Sequence, residues 1–383
     1  MEARLLAAFS GDRPAVPVAL LCGELGISRQ TFYKYRRRFR EEGPAGLVER
    51  SRRPHRSPGM ISVELEDEIV RLRKELPLDN GAQTIAYHLE RAGWPVPSTA
   101  TIHRALVRRG LVTPQPQKRP RSSWRRFEWP RPNDAWQIDA TCWALSGDKE
   151  VWIMDVLDDH SRVVVAARVT SSPTSEAAWE AFCDSVDRYG LPARVMSDNG
   201  ACFTARYLSG GGCEFEENLA ALGIQHLLSS PAHPQTCGKL ERFHQTLKRW
   251  LRSQPLARRP GQLQHQLDVF LRYYNEQRPH RALAGATPTE RWHASLPATP
   301  GTPLQPSPRS SLHTVGVTGH IGWRQFQIAV GSPLAGRQVL VIARGDDLAV
   351  FSAHGLVRRL TIDRTRRYQP SGLPPGPRRR HRS

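Results

Sequence analysis

The chain has 383 residues, 55 of them Lys or Arg and 36 Asp or Glu, with a formal net charge of +19 and 39% hydrophobic residues. At about 100–200 residues per domain this length implies two to four domains, and the apolar fraction excludes a wholly disordered chain. No apolar run approaches the ~20 residues of a bilayer span, no signal-type apolar stretch opens the sequence, and the six cysteines include no C-x-x-C pair. The expectation is a cytoplasmic protein with no membrane association and a polyanionic partner.

The charge is uneven: +10 over residues 1–130, −1 over 131–295 and +10 over 296–383. Two basic ends able to hold nucleic acid flank a centre with a different task. In Val18–Tyr35 the apolar residues Leu21, Leu25, Ile27 and Phe32 fall at helical spacing around a corner at Gly26, with Ser28 placed to cap a second helix. That is helix-turn-helix spacing, with small Cys22 between the helices. The second helix offers Arg29, Gln30, Tyr33, Lys34 and Arg36–Arg38, including Arg37, to a major groove. Residues 1–50 are read as one such domain. After a basic linker at 50–58, helices are predicted over 62–76, 84–93 and 99–109, the last capped by Ser98 or Thr99 and carrying His103, Arg104, Arg108 and Arg109. Residues 60–113 are the second helix-turn-helix domain, and 114–132 a basic linker.

From residue 133 the period changes. Strands are predicted at 135–139, 151–156, 162–169, 194–197 and 224–228, and helices at 174–189, 214–222 and from 238 to about 253. This order implies a mixed α/β sheet over 133–295. A Pro/Ser linker occupies 296–311. Short strands at 312–318, 326–330, 337–343, 347–351 and 356–362 then predict a small SH3-like β-barrel over 312–369, followed by a basic tail, 370–383. The predicted fold class is therefore multidomain: all-α helix-turn-helix units, an α/β core and a β-barrel.

Three acids stand out. Asp139 ends the first core strand, Asp198 closes the fourth, and Glu241 opens the long helix. Carboxylates at two strand ends and one on a helix packed against those strands can converge, and convergence in low dielectric requires divalent cations between them. Hard oxygen donors without a Cys/His set favour Mg²⁺ or Mn²⁺, and two such ions can drive an in-line phosphoryl displacement. His244, Gln245 and Lys248 share a helix face with Glu241. With Lys239 in the preceding turn, they are candidates to meet a DNA phosphate. Asp155, Asp158 and Asp159 are read as solvated acids of a hairpin turn. Gly210–Gly212 is not followed by Gly-Lys-Ser/Thr, so no nucleotide cofactor is implied.

Four blocks are similar to the core of DDE transposases and retroviral integrases. They are Trp136-Gln137-Ile138-Asp139-Ala140-Thr141, Ser197-Asp198-Asn199-Gly200-Ala201-Cys202-Phe203, His233 through Lys248, and Tyr274-Asn275-Glu276-Gln277-Arg278-Pro279-His280-Arg281-Ala282-Leu283. The order and the amino-terminal helices most resemble bacterial insertion-sequence transposases. The resemblance implies a ribonuclease H-like core and Asp139, Asp198 and Glu241 as catalytic metal ligands. It further implies a protein that binds the terminal repeats of a mobile element as double-stranded DNA, cleaves, and transfers strands as a homo-oligomer on DNA. The gap from Asp198 to Glu241 is longer than in many integrases, and Leu208–Cys213 is read as a surface insertion that absorbs it. His233–Gly238 is read as a mobile loop. The rival readings are a non-catalytic helix-turn-helix regulator and a ribonuclease H-like nuclease that never joins strands.

Overall fold

The structure is a computed structural model, and it describes residues 5, 6, 9, 17–48, 60–113, 128–205, 212–229 and 238–371. The 50–58 linker, residues 114–127 of the 114–132 linker, most of the Leu208–Cys213 insertion, the 233–238 loop up to Gly238, and the tail from 372 lie outside the described residues. The chain forms two compact units, 1–62 and 63–383.

In the first unit α1 (Val18–Leu25) and α2 (Arg29–Glu42) meet at Gly26, whose φ of 63° is the left-handed cap that lets the chain turn without a Cβ penalty. Ser28 Oγ accepts the Thr31 backbone N–H at 3.1 Å, as its place before the helix predicts. Phe32, Cys22, Leu5 and Leu47 form the small core, with Leu21, Leu25 and Ile27 packed against it.

The second unit opens with three helices, α3 (Val63–Glu75), α4 (Ala82–Arg91) and α5 (Thr99–Arg108). Ile69, Ile85, Leu89 and Ile102 are fully buried between them, and Ser98 caps α5 through the Thr101 N–H. This trio rests on the following domain. Leu78 joins the core of that domain, Asp79 pairs with Arg249 and Arg278, and Arg91 pairs with Glu290 at 2.5 Å.

The central sheet has the order β3-β2-β1-β4-β5. β1 (Trp136–Ala144), β2 (Glu150–Asp158) and β3 (Val164–Thr170) form an antiparallel meander, and β4 (Arg194–Ser197) and β5 (Gln225–Leu228) add in parallel. The strands alternate between two apolar faces. Trp136, Ile138, Met154 and Val156 face α6 (Ser175–Tyr189) and α7 (Glu214–Ala221), meeting Phe182 and Phe215. Val151, Ile153 and Leu157 face α8 (Gly238–Arg252) and α9 (Pro260–Arg272), meeting Phe243, Leu247 and Phe270. Each fully buried side chain of this size contributes roughly 1.5–3 kcal/mol of transfer free energy. After α9 a π-turn at Tyr273–Gln277 delivers Asn275 to the sheet edge, where it accepts the Val164 N–H and donates to the Val164 carbonyl, both at 3.0 Å. α10 (Pro288–His293) closes the layer.

Residues 296–311, expected as a Pro/Ser linker, run along the core. Ala298 N–H donates to Pro132 O and Gln305 N–H to Ala221 O. The expected barrel is not closed. β6 (Ser310–Thr314), β9 (Gln338–Arg344), β10 (Asp347–Ser352) and β11 (Gly355–Thr361) make one open sheet, and β7 (His320–Trp323), β8 (Phe326–Ala329) and β12 (Tyr368–Gln369) a second. The two share a core of Ile321, Trp323, Ile328, Val341 and Val350, but among the described residues no strand pairing joins their edges. The larger sheet turns its other face to the central domain. There Leu340, Ile342, Ala349 and Phe351 pack with Trp179 and Phe182 of α6, and Arg359 pairs with Glu180 and Asp184. A face committed to α6 favours an open sheet over closure on itself.

Candidate active site

The parallel register of β1 and β4 pairs Trp136 with Val195 and Gln137 with Met196. The same offset relates Asp139 to Asp198, which leaves the end of the short strand β4 on the neighbouring row. Asp198 is exposed and its Oδ1 accepts the Gly200 N–H at 2.9 Å. A Cβ at Gly200 would lie 2.9 Å from that same oxygen, so a side chain there would push the Asp198 carboxylate aside. Asp139 is half-buried, and its Oδ1 accepts the Ala140 N–H at 2.8 Å. Burial pushes the Asp139 carboxyl above its ordinary range, and the nearby Asp198 charge adds to the rise against the Ala140 bond and His244.

α8 crosses this sheet face. Leu240, Phe243 and Leu247 are buried against it, which turns His244 inward. His244 Nε2 lies 3.0 Å from Asp155 Oδ2, and Nδ1 lies 4.0 Å from Asp139 Oδ2. Asp155 is not a turn acid. It sits inside β2, directly opposite Asp139 in the antiparallel register, and is fully buried. Burial pushes its carboxyl up. The His244 imidazole is itself lowered by burial, but Asp155 and then Asp139 outweigh this and raise it. Lys248, one turn on, adds positive charge near both acids.

Glu241 is exposed on the first turn of α8, one turn before His244. Among the described residues no three Asp, Glu, His or Cys side chains are gathered as a metal-holding group. The structure thus brings Asp139 and Asp198 into each other's field and leaves Glu241 on the adjoining helix turn. Two hard oxygen donors with no Cys/His set suit an oxygen-seeking divalent cation.

The other acids read as turn residues are also buried, not solvated. Asp158 Oδ1 accepts Ser161 N–H and Oγ–H while Oδ2 accepts Asn133 N–H, so it does build the turn, and burial pushes it up to about 6. Asp159 accepts Trp129 N–H, Gln137 Nε2 and Lys239 Nζ, the last at 2.5 Å. Lys239 is therefore tied into the core, with its side chain 15% exposed. Gln245 is exposed and Lys248 partly so.

On the amino-terminal unit Arg29, Gln30, Tyr33, Lys34 and Arg37 are all exposed along one face of α2. Arg38, expected beside them, turns inward to donate to Val48 O at 2.8 Å. On α5 Arg104 is exposed, whereas Arg108 pairs with Glu66 of α3 at 2.6 Å.

Residues 130–234 and 222–288 match the integrase core domain family, and residues 4–48 and 31–106 match homeodomain-like domains. Residues 130–288 are thus similar to an integrase core domain. With the five-stranded sheet and its helices on both faces, this bears out the expected ribonuclease H-like centre behind amino-terminal helix-turn-helix units. The chain is 23% identical over 314 residues to the transposase of transposon Tn552 from Staphylococcus aureus, covering 70% of this chain and 62% of that protein. It is 30% identical over 118 residues to the Gag-Pro-Pol polyprotein of Mason-Pfizer monkey virus, which is 30% of this chain and 6% of the polyprotein. The chain thus spans about three-fifths of the Tn552 transposase and a small part of the viral polyprotein. Among solved structures, the HTLV-2 integrase catalytic core in complex with magnesium is 22% identical. It covers 43% of this chain and 99% of its own, at a TM-score of 0.34.

Proposed function

We propose that this chain is a DNA transposase whose integrase core cleaves and joins DNA and whose helix-turn-helix units bind the ends of its element. The observation that supports it most is that Asp139 of β1 feels the charge of Asp198, which stands just past the end of the adjacent strand β4, within a segment similar to an integrase core. In this reading Asp139 and Asp198, with Glu241 one helix turn from His244, hold two divalent cations, Mg²⁺ or Mn²⁺. When bound, such ions activate an attacking oxygen and stabilise a leaving oxygen in phosphoryl transfer. The α2 face of Arg29, Gln30, Tyr33, Lys34 and Arg37 takes groove and phosphate contacts, and Arg104 is an exposed cation of α5 not paired with Glu66. Gln245 and Lys248 meet the phosphates near the site. Handling two DNA ends calls for at least a dimer on DNA. No helix among the described residues is long and apolar enough to cross a membrane.

The test is the purified full chain with DNA carrying the repeats that flank its coding region, with and without Mg²⁺. A transposase gives cleaved ends and joined products that need the metal. Cleavage without joining identifies a nuclease, and binding with neither identifies a regulator.

A further inference from the structure

Asp155 is a costly residue to place where it is. It is fully buried within β2, directly across the ladder from Asp139. Side chains in such a pair stand on one sheet face with Cβ atoms about 5 Å apart, and like charges there repel. A buried acid that served only packing would be replaced by an apolar residue at no loss or with a gain in stability. Moreover, among the described residues its Oδ1 has no hydrogen-bond partner, while Oδ2 takes His244 Nε2. His244 lies between the two acids, with one ring nitrogen on the buried carboxylate and the other turned to Asp139 Oδ2. An acceptor fixed at Nε2 sets the ring's rotation and decides which nitrogen faces outward.

We propose that Asp155 and His244 are a positioning pair, in which the buried carboxylate fixes the imidazole and the imidazole in turn orients Asp139 as a ligand for a divalent cation. The proposal rests on the reading of Asp139 as a metal ligand. It reassigns His244 from a DNA contact to an internal support, which its 13% side-chain exposure favours. It also accounts for Asp155, which neither packing nor turn formation explains. Supports of this kind are worth about 10–100-fold in metal affinity or activity.

The experiment uses Mn²⁺ as the probe, titrated into the purified full chain and followed by the electron paramagnetic resonance signal of the free ion. The Asp155→Leu/His244→Leu double variant removes the pair without leaving a buried charge unmatched. It is expected to melt near the wild type yet bind Mn²⁺ at least tenfold more weakly. Asp155→Asn, whose amide oxygen still accepts the Nε2 proton, is expected to retain Mn²⁺ affinity within about threefold, a rescue that bulk packing loss would not give. If the double variant fails to fold, His244→Gln keeps a donor toward Asp155 but presents nothing to Asp139, and it is expected to show the same tenfold loss. Wild-type Mn²⁺ affinity in a folded double variant or in His244→Gln overturns the pairing. Asp139→Asn separates the two levels. If it too binds Mn²⁺ as the wild type does, Asp139 is no ligand and the metal reading itself fails. If it loses Mn²⁺ while the pair variants keep it, only the pairing fails.

Discussion

Lys239 offers a direct view of how the helix bearing Glu241 is anchored. Its Nζ lies 2.5 Å from Asp159 Oδ2, with side-chain exposures of 15% and 3%. Removing one partner of a buried pair costs about 3–5 kcal/mol, because the other charge is left uncompensated. Asp159 keeps two further donors, Trp129 N–H at 3.0 Å and Gln137 Nε2 at 2.8 Å. The lower end, about 3 kcal/mol, is therefore expected for Lys239→Met. At about 2–4 °C per kcal/mol for a domain of this class, the melting temperature of the core falls by roughly 6–12 °C. Asp159→Asn combined with Lys239→Met removes both charges and recovers much of the loss, so a double-mutant cycle shows a coupling of about 1–3 kcal/mol. The assay is thermal unfolding of the four proteins, with joining of end-bearing DNA measured alongside. Joining falls more than end binding, because the turn carrying Glu241 has lost its anchor. A Lys239→Met protein that melts within about 1 °C of the wild type refutes the anchoring argument.

Three further outcomes follow from named contacts. Asp79 is pushed up by burial, but Arg278 and Arg249 outweigh that and hold its carboxyl below the usual range. Its stabilising contribution is therefore present above the unfolded value near ~4 and is lost as pH falls through the lower folded value. Wild type and Asp79→Asn should differ in melting temperature at neutral pH and converge in acid; curves that stay parallel throughout contradict the linkage. Lys34→Ala should weaken binding to all DNA sequences alike and lower the salt slope by about 1, read by fluorescence anisotropy at several salt concentrations. An unchanged slope removes α2 from the phosphate contacts. Ser28→Ala, which loses the 3.1 Å cap to Thr31 N–H, should cost the amino-terminal unit about 1 kcal/mol in urea unfolding.

How far the sequence reveals this protein depends on the range over which each residue acts. Ser28, Gly26 and Ser98 act within one turn, and the helices they bound stand where caps and spacing place them. Arg194–Ser197 is a strand with the predicted ends. Asp155 was misread because its role depends on a partner in another strand. Its position in the run Val151, Ile153, Asp155, Leu157 is nonetheless a signal, since an acid on the buried parity of a strand asks for a partner. Asn275 was visible only as part of a motif; its bonds to Val164 join residues 111 apart. The fate of the carboxy-terminal strands was set by Phe351 and Ile342 meeting α6, a contact that strand spacing does not contain. β7 falls in the short gap between the predicted strands 312–318 and 326–330, where four residues carry too little alternation to mark a strand.

The most direct measurement is the structure of the full chain on end-bearing DNA with Mn²⁺, its ions located by anomalous scattering. The account predicts ions held by Asp139 and Asp198 at the scissile phosphate, with Glu241 swung in from the first turn of α8 as the third ligand. Ions seated elsewhere, or a Glu241 carboxylate still turned away from them with DNA bound, would contradict it.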